Sequence, residues 1–267
     1  MGESGRLLVG TAGYSYKDWQ GPFYPVGMRQ TDYLPYYAER FPLVEIDYTY
    51  YRQPSPKTME NMAGRVPPGF RFAVKAHRTI THEVPESGVG QEMRVFMDGV
   101  EPMAQRGALG CILYQFPWGF AYSPRNLDYV TSLAERVPIA PAVAEFRNVS
   151  WARDDVYAAL RGSGVSFCCV DEPPLRGLFP PVVLSTAAIG YVRFHGRNSA
   201  KWWNHKEAWE RYDYLYTDLE LAQWIPKIRD LSGTSEEVYV LFNNCHRGQA
   251  AVNAMRLQAL LAQASMS

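Results

Sequence analysis

This sequence is poor in the features that mark specialised protein classes. It carries no excess of charge: 27 Lys and Arg stand against 27 Asp and Glu over 267 residues. The balance holds in both halves of the chain, which excludes a bulk polycation and leaves only a local basic groove for nucleic acid. Cysteine is scarce, with four residues and no Cys-x-x-Cys pair. Cys111, Cys168 and Cys169 lie inside apolar runs, which reads as reduced core thiols and not as a disulfide framework or a zinc site. No apolar stretch approaches the ~20 residues of a membrane span, so no membrane partner is expected. Met1 to Arg6 lacks the apolar centre of a secretion signal, and with the reduced thiols this predicts a cytoplasmic protein. No low-complexity tract, charge block or linker divides the chain, so one domain over residues 1–267 is expected.

Apolar side chains are plentiful, at 47%, and aromatic ones make up 14%. Seven Trp and eighteen Tyr exceed what core packing needs, so some are candidates for a pocket wall. Short runs rich in β-branched and aromatic residues recur along the chain. They are Leu7–Thr11, Leu43–Asp47, Phe70–Ala76, Leu109–Phe116, Ala142–Phe146, Val165–Asp171, Tyr191–His195 and Val238–Asn243. Near-continuous apolar runs of this length suit parallel strands covered on both faces. Helix-like segments separate them: Thr31–Arg40, Ser55–Arg65, Ser123–Arg136, Asp154–Arg161, Asp218–Leu231 and Gln249–Ala264. Strand–helix alternation repeated eight times predicts an α/β fold of the (β/α)₈ TIM-barrel type. The sixth unit is predicted to be irregular, because Pro173, Pro174, Pro180 and Pro181 break any long helix there. An open doubly wound sheet is the alternative, but no early Gly-x-Gly-x-x-Gly turn is present.

Polar residues gather where these runs end. Thr11, Asp47, Lys75, Gln115, Glu145, Asp171, His195 and the pair Asn243–Asn244 lie at or near the ends of their strands. Residues two apart share a strand face, so Glu45 and Asp47 point together, as do Glu145 and Arg147, and Arg193 and His195. On a barrel these groups converge at the C-terminal mouth, where barrel enzymes keep their active sites. Buried charges need partners, and acids and bases so placed can satisfy one another. The structural alternative is that they only cap the barrel with internal ion pairs.

Seven stretches carry a family resemblance. They are residues 9–25 (VGTAGYSYKDWQGPFYP), 41–51 (FPLVEIDYTYY), 67–83 (PPGFRFAVKAHRTITHE), 114–117 (YQFP), 144–151 (AEFRNVSW), 191–197 (YVRFHGR) and 239–246 (YVLFNNCH). In this order they resemble the YecE-like family, domain of unknown function 72, from about Leu8 to Leu261. The resemblance implies a TIM barrel and supplies no reaction. Two departures fall at the mouth. The family usually reads Glu-Ile-Asn-x-x-Phe-Tyr where this chain has Glu45-Ile46-Asp47 and then Tyr50-Tyr51, and it usually has Asp where this chain has Cys245.

The residues point most directly to an anion site. Lys75, Arg147 and Arg193 suit a phosphate or carboxylate, with Arg giving bidentate geometry. Asn243, Asn244, Gln115, Thr11, Tyr14 and Asp47 are candidate substrate-binding residues beside them. Glu145, Asp171 and His195 are the candidates for proton transfer, His195 because its ordinary pKa lies near neutrality. Lys75 is also a candidate Schiff-base nucleophile, although pairing with Glu45 or Glu145 is the more ordinary use. These readings predict an enzyme of hydrolase or transferase type acting on a small phosphorylated or otherwise anionic ligand. The alternative is a non-catalytic binding module for nucleic acid or a metabolite, suggested by Trp202, Trp203, His205, Lys201 and Lys206. No cofactor is named by the sequence. A divalent metal is a weaker candidate. Glu145, Asp171, His195, His77 and His246 would have to converge from separate strands, and the basic residues would compete with the cation. A glycosidase would need a different carboxylate pair, Glu145 with Asp47 or Asp171.

Overall fold

All eight apolar runs form strands. The computed structural model describes residues 5–84 and 88–266. The strands are β1 (Arg6–Ala12), β2 (Leu43–Ile46), β3 (Arg71–Lys75), β4 (Leu109–Gln115), β5 (Ala142–Glu145), β6 (Ser166–Asp171), β7 (Ile189–Phe194) and β8 (Glu237–Phe242). Each pairs in parallel with the next, and β8 closes on β1 from Arg6–Glu237 to Thr11–Phe242. The result is a closed barrel in sequential order, the predicted (β/α)₈ architecture. Helices shield the outer face and side chains fill the inner one, which is why the strands read as apolar throughout.

Local sequence explains the helix boundaries. Pro56–Ala63 and Pro124–Thr131 each begin with proline in the first turn, and Ser123 Oγ accepts a hydrogen bond from Asn126 N–H. Asp154–Ser163 stops at Gly164, whose φ of 70° is the left-handed cap that glycine adopts without strain. Two predicted long helices are split. Ser123–Arg136 breaks at Ser132, and Asp218–Leu231 becomes Asp218–Ala222 and Ile225–Ser232, the second starting at a proline-bearing turn. The long helix Gly90–Gln105 and the single turn Arg78–Thr81 were not predicted. Met93, Phe96, Val100 and Met103 form the buried stripe of the long helix. Among the described residues no helix joins β6 to β7, as the prolines predicted.

Inside the barrel, polar contacts climb from the bottom to the top. At the N-terminal end Arg71 Nε lies 3.2 Å from Glu237 Oε2, and Tyr239 donates to the same carboxylate at 2.5 Å. Higher up, the Tyr191 hydroxyl donates to Glu45 Oε2 at 2.6 Å. Above it lies the charged layer that forms the floor of the mouth. No helix among the described residues is long and apolar enough to cross a membrane.

Candidate functional site at the barrel mouth

Three strands meet in one ion-pair chain. Arg193 of β7 places Nη2 2.5 Å from Glu45 Oε1 of β2 and Nη1 2.7 Å from Glu145 Oε2 of β5. Arg147, just past β5, contacts Glu145 Oε1 at 2.7 Å through Nε and Glu172 Oε2 at 2.9 Å through Nη1. His195 Nε2 lies 3.2 Å from Glu145 Oε1. Asn243 Nδ2 is 3.1 Å from His195 Nδ1, so with the amide donating, the ring proton sits on Nε2 and faces Glu145. Glu45, Glu145, Arg193 and His195 are all buried. The shared-face pairs predicted from the two-residue period are therefore present.

The environment sorts these groups by charge. Burial would raise the Glu145 carboxyl, but Arg147 and Arg193 with help from His195 hold it well below the usual range. Glu45 has only a share of Arg193 and lies near Asp47, and burial pushes it up to about 8. Burial likewise pushes Glu172 up to about 7, against the pull of Arg147. His195 is pushed down to about 3 by burial and by Arg147, which outweigh Glu145. The imidazole is thus neutral at pH 7, and the predicted role of His195 as a proton carrier near neutrality does not fit its surroundings. Its Nε2 lies 3.2 Å from Glu145 Oε1 as part of a neutral ring, without a hydrogen bond between the two atoms.

A cavity of about 290 Å³ opens above this floor. Lys75, Gln115, Arg147, Arg193, Asn243 and Asp47 line it, so six of the predicted residues share one space. Glu145 and His195 lie directly beneath. Lys75 does not pair with Glu45 or Glu145. Among the described residues it has no ion pair, and its Nζ stands 4.7 Å from the centre of the Tyr50 ring. Three buried atoms of the wall residues have no hydrogen-bond partner, Arg193 Nε, Asp47 Oδ1 and His246 Nε2. Asp47 Oδ1 is 3.9 Å from Arg193 Nη2.

Four predicted residues lie elsewhere. Asp171 faces outward between helices, where it accepts from Arg197 at 2.6 and 2.8 Å, Tyr216 at 2.8 Å and Trp224 at 2.8 Å. It follows Val170 on the strand, and neighbours on a strand point to opposite faces. Asn244, two residues past the end of β8, is buried and donates to Tyr214 O and Asn253 Oδ1. Thr11 bonds to the Tyr37 hydroxyl and to Gly13 O. Tyr14 borders a neighbouring hollow with Met62, and Tyr16 takes the place at the mouth. The aromatic-basic patch is divided as well. Trp202 is buried against Tyr212, Trp203 is exposed, and Lys201 pairs with Glu210 at 2.7 Å.

Sequence reasoning missed Trp209 and Tyr212 in the wall, and His246, considered only as a metal ligand, lines it as well. Trp209 stacks on His246 at 4.1 Å and 14°. Both come from loops that follow strands, and the clustering of aromatics after β7 was the available signal. Among the described residues no three His, Cys, Asp or Glu side chains converge so as to hold a metal ion. With Asp171 outside the barrel, the ligand set considered from sequence does not assemble.

A family model described as "Protein of unknown function DUF72" matches residues 8–267. The chain belongs to the DUF72 family. The resemblance read from the seven stretches is thereby borne out. The UPF0759 protein YunF of Bacillus subtilis (strain 168) is 29% identical over 271 residues, covering 96% of this chain and 94% of that protein. A DUF72 family protein from Thermotoga maritima MSB8 superposes with a TM-score of 0.89 at 39% identity, covering 96% of this chain and 99% of the other. Another from Enterococcus faecalis V583 gives 0.85 at 26%, covering 96% and 95%. The two solved relatives share the barrel of this DUF72 protein.

Proposed function

We propose that this DUF72 protein is an enzyme of hydrolase or transferase type. It binds a phosphorylated or otherwise anionic substrate in the mouth cavity, and with four unpaired thiols it works in the cytoplasm. The observation that carries the reading is Lys75. It is a cation on the wall of a 290 Å³ cavity with no ion pair among the described residues, next to the unpartnered Arg193 Nε. A buried donor without an acceptor costs about 1–3 kcal/mol, and an anionic ligand relieves that cost. Arg147 and Arg193 add positive potential. Each is held by carboxylates in a fixed orientation, so little reorganisation accompanies binding. Asp47 is the carboxylate on the same wall with a free oxygen, and it takes the general-base role that His195 does not fit. Glu145 acts beneath the site by holding Arg147, Arg193 and His195 in place.

The test titrates inorganic phosphate, pyrophosphate and a panel of phosphate monoesters and diesters into the wild type and Lys75→Met. Saturable, salt-sensitive binding is expected, weakened at least tenfold in Lys75→Met with an unchanged melting temperature. Asp47→Asn is expected to bind normally and turn over about 100-fold more slowly. Equal affinity in Lys75→Met refutes the anion site. Saturable binding with no turnover of any ester makes the protein a binding module.

A further inference from the structure

A second hollow of about 200 Å³ adjoins the first and shares Gln115, Arg147 and Tyr212 with it. Its far wall is aromatic: Trp118 and Trp203 line it, with Arg211 and His82 alongside. The two indoles meet at 73° with centroids 6.0 Å apart, forming a corner. Both are about half exposed, at 50% and 53%. Trp118 is nevertheless fixed. Its Nε1–H donates to Gly177 O at 3.0 Å, and Asn148 Nδ2 donates to the Trp118 carbonyl at 2.8 Å. Gly177 sits at φ 88° in the irregular sixth unit, a backbone state that glycine holds without strain. The loop that lacks a helix thus anchors an indole whose polar atom is already used, so what Trp118 offers a ligand is its ring face.

His82 stands on the Lys75 side of the aromatic hollow, and burial together with nearby Lys75 and Arg147 pushes it down to about 4. At neutral pH it adds no charge, so the cations of the aromatic hollow are Arg147 and Arg211.

We infer that the two hollows form one bipartite site, in which the anionic group lies against Lys75 and a flat aromatic ring lies against Trp118 in the corner closed by Trp203. This names the substrate class as a phosphorylated compound carrying a planar ring, of which a nucleotide is the simplest example. It rests on the anion site proposed above. A sugar phosphate fills the first hollow alone. Base–indole stacking is worth about 1–3 kcal/mol, so the ring contributes about 5- to 150-fold in affinity.

The experiment measures binding of adenosine 5′-monophosphate, ribose 5-phosphate and inorganic phosphate by calorimetry. It uses the wild type, Trp118→Ala, Trp203→Ala and Lys75→Met. The nucleotide is expected to bind at least about fivefold tighter than ribose 5-phosphate. Trp118→Ala is expected to erase that difference while leaving phosphate binding unchanged, and Trp203→Ala to reduce it. Lys75→Met is expected to weaken all three. Intrinsic fluorescence of the wild type supplies a readout independent of any variant: the nucleotide is expected to quench it and ribose 5-phosphate to leave it unchanged. If the nucleotide and ribose 5-phosphate bind equally, or Trp118→Ala keeps the preference, the ring lobe is refuted while the anion site stands. If none of the three probes binds, both readings fall together.

Discussion

Glu145→Gln replaces the most heavily used carboxylate in the barrel with a neutral isostere. In the wild type its two oxygens contact Arg147 at 2.7 Å, Arg193 at 2.7 Å and His195 at 3.2 Å. All three partners are buried, and Glu145 itself is fully inaccessible. Removing the charge leaves Arg147 with Glu172 and Arg193 with Glu45, and burial has already pushed both of those carboxyls up toward neutrality. Two guanidinium groups thereby lose their strongest counter-charge in a dry interior. Breaking one partner of a buried pair costs about 3–5 kcal/mol. In a domain of this size each kcal/mol shifts the melting temperature by about 2–4 °C, so a fall of roughly 6–20 °C is expected. Thermal unfolding followed by circular dichroism measures it. The double variant Glu145→Gln/Arg147→Met removes one of the stranded cations, and it is expected to be less destabilised than the sum of the single changes. A melting temperature within a degree of wild type, or strict additivity in the cycle, would refute the account of Glu145 as the anchor of the floor.

Two further outcomes follow from the same layer and its surroundings. His195 titrates at about 3 in the folded protein and near 6.5 when unfolded, so the unfolded chain binds the extra proton between those values. Its contribution is complete above pH 6.5 and is lost as pH falls toward 3. Urea unfolding at several pH values is expected to show a shallower acid-side slope in His195→Gln, and an unchanged slope would contradict a buried neutral imidazole. Asp171→Ala leaves Arg197, Tyr216 and Trp224 without their shared acceptor and is expected to cost about 3 kcal/mol or more. Phosphate affinity is expected to stay unchanged wherever the variant remains folded, and a selective loss of ligand binding would place Asp171 back in the site.

The barrel was legible because burial on both faces leaves a strong mark in sequence. Val165–Asp171 and Tyr191–His195 needed no periodicity to be found. That same property hid which side chains face inward. In a run such as Ser166–Asp171, where every residue is buried, nothing in the sequence distinguishes the inner from the outer face, so Asp171 was placed in the mouth with Glu145. Asn243 and Asn244 follow the end of β8, where strand alternation no longer says which side chain enters the cavity. The pairs Glu45/Asp47, Glu145/Arg147 and Arg193/His195 came out correctly because spacing alone decides that they share a side. The helix Gly90–Gln105 was obscured by Gly99 and Pro102. Gly99 is there for packing, since a Cβ at that position would lie 2.4 Å from Pro54 O. Burial as a driver of ionisation was not legible at all. His195 looked suited to neutral pH only because its ordinary value is near 6.5.

The charged layer also bears on how the chain reaches its native state. Arg193 is 48 residues from Glu145 and 148 from Glu45 along the sequence. Glu145 is only two strands from Arg193 and can meet it in a half-wound sheet, whereas Glu45 on β2 reaches the guanidinium once β8 has closed on β1. A partly wound sheet would leave one side of a buried cation without its second carboxylate, a disfavoured state. Incomplete assemblies are therefore penalised, and closure of the ring and creation of the cavity floor become one cooperative event.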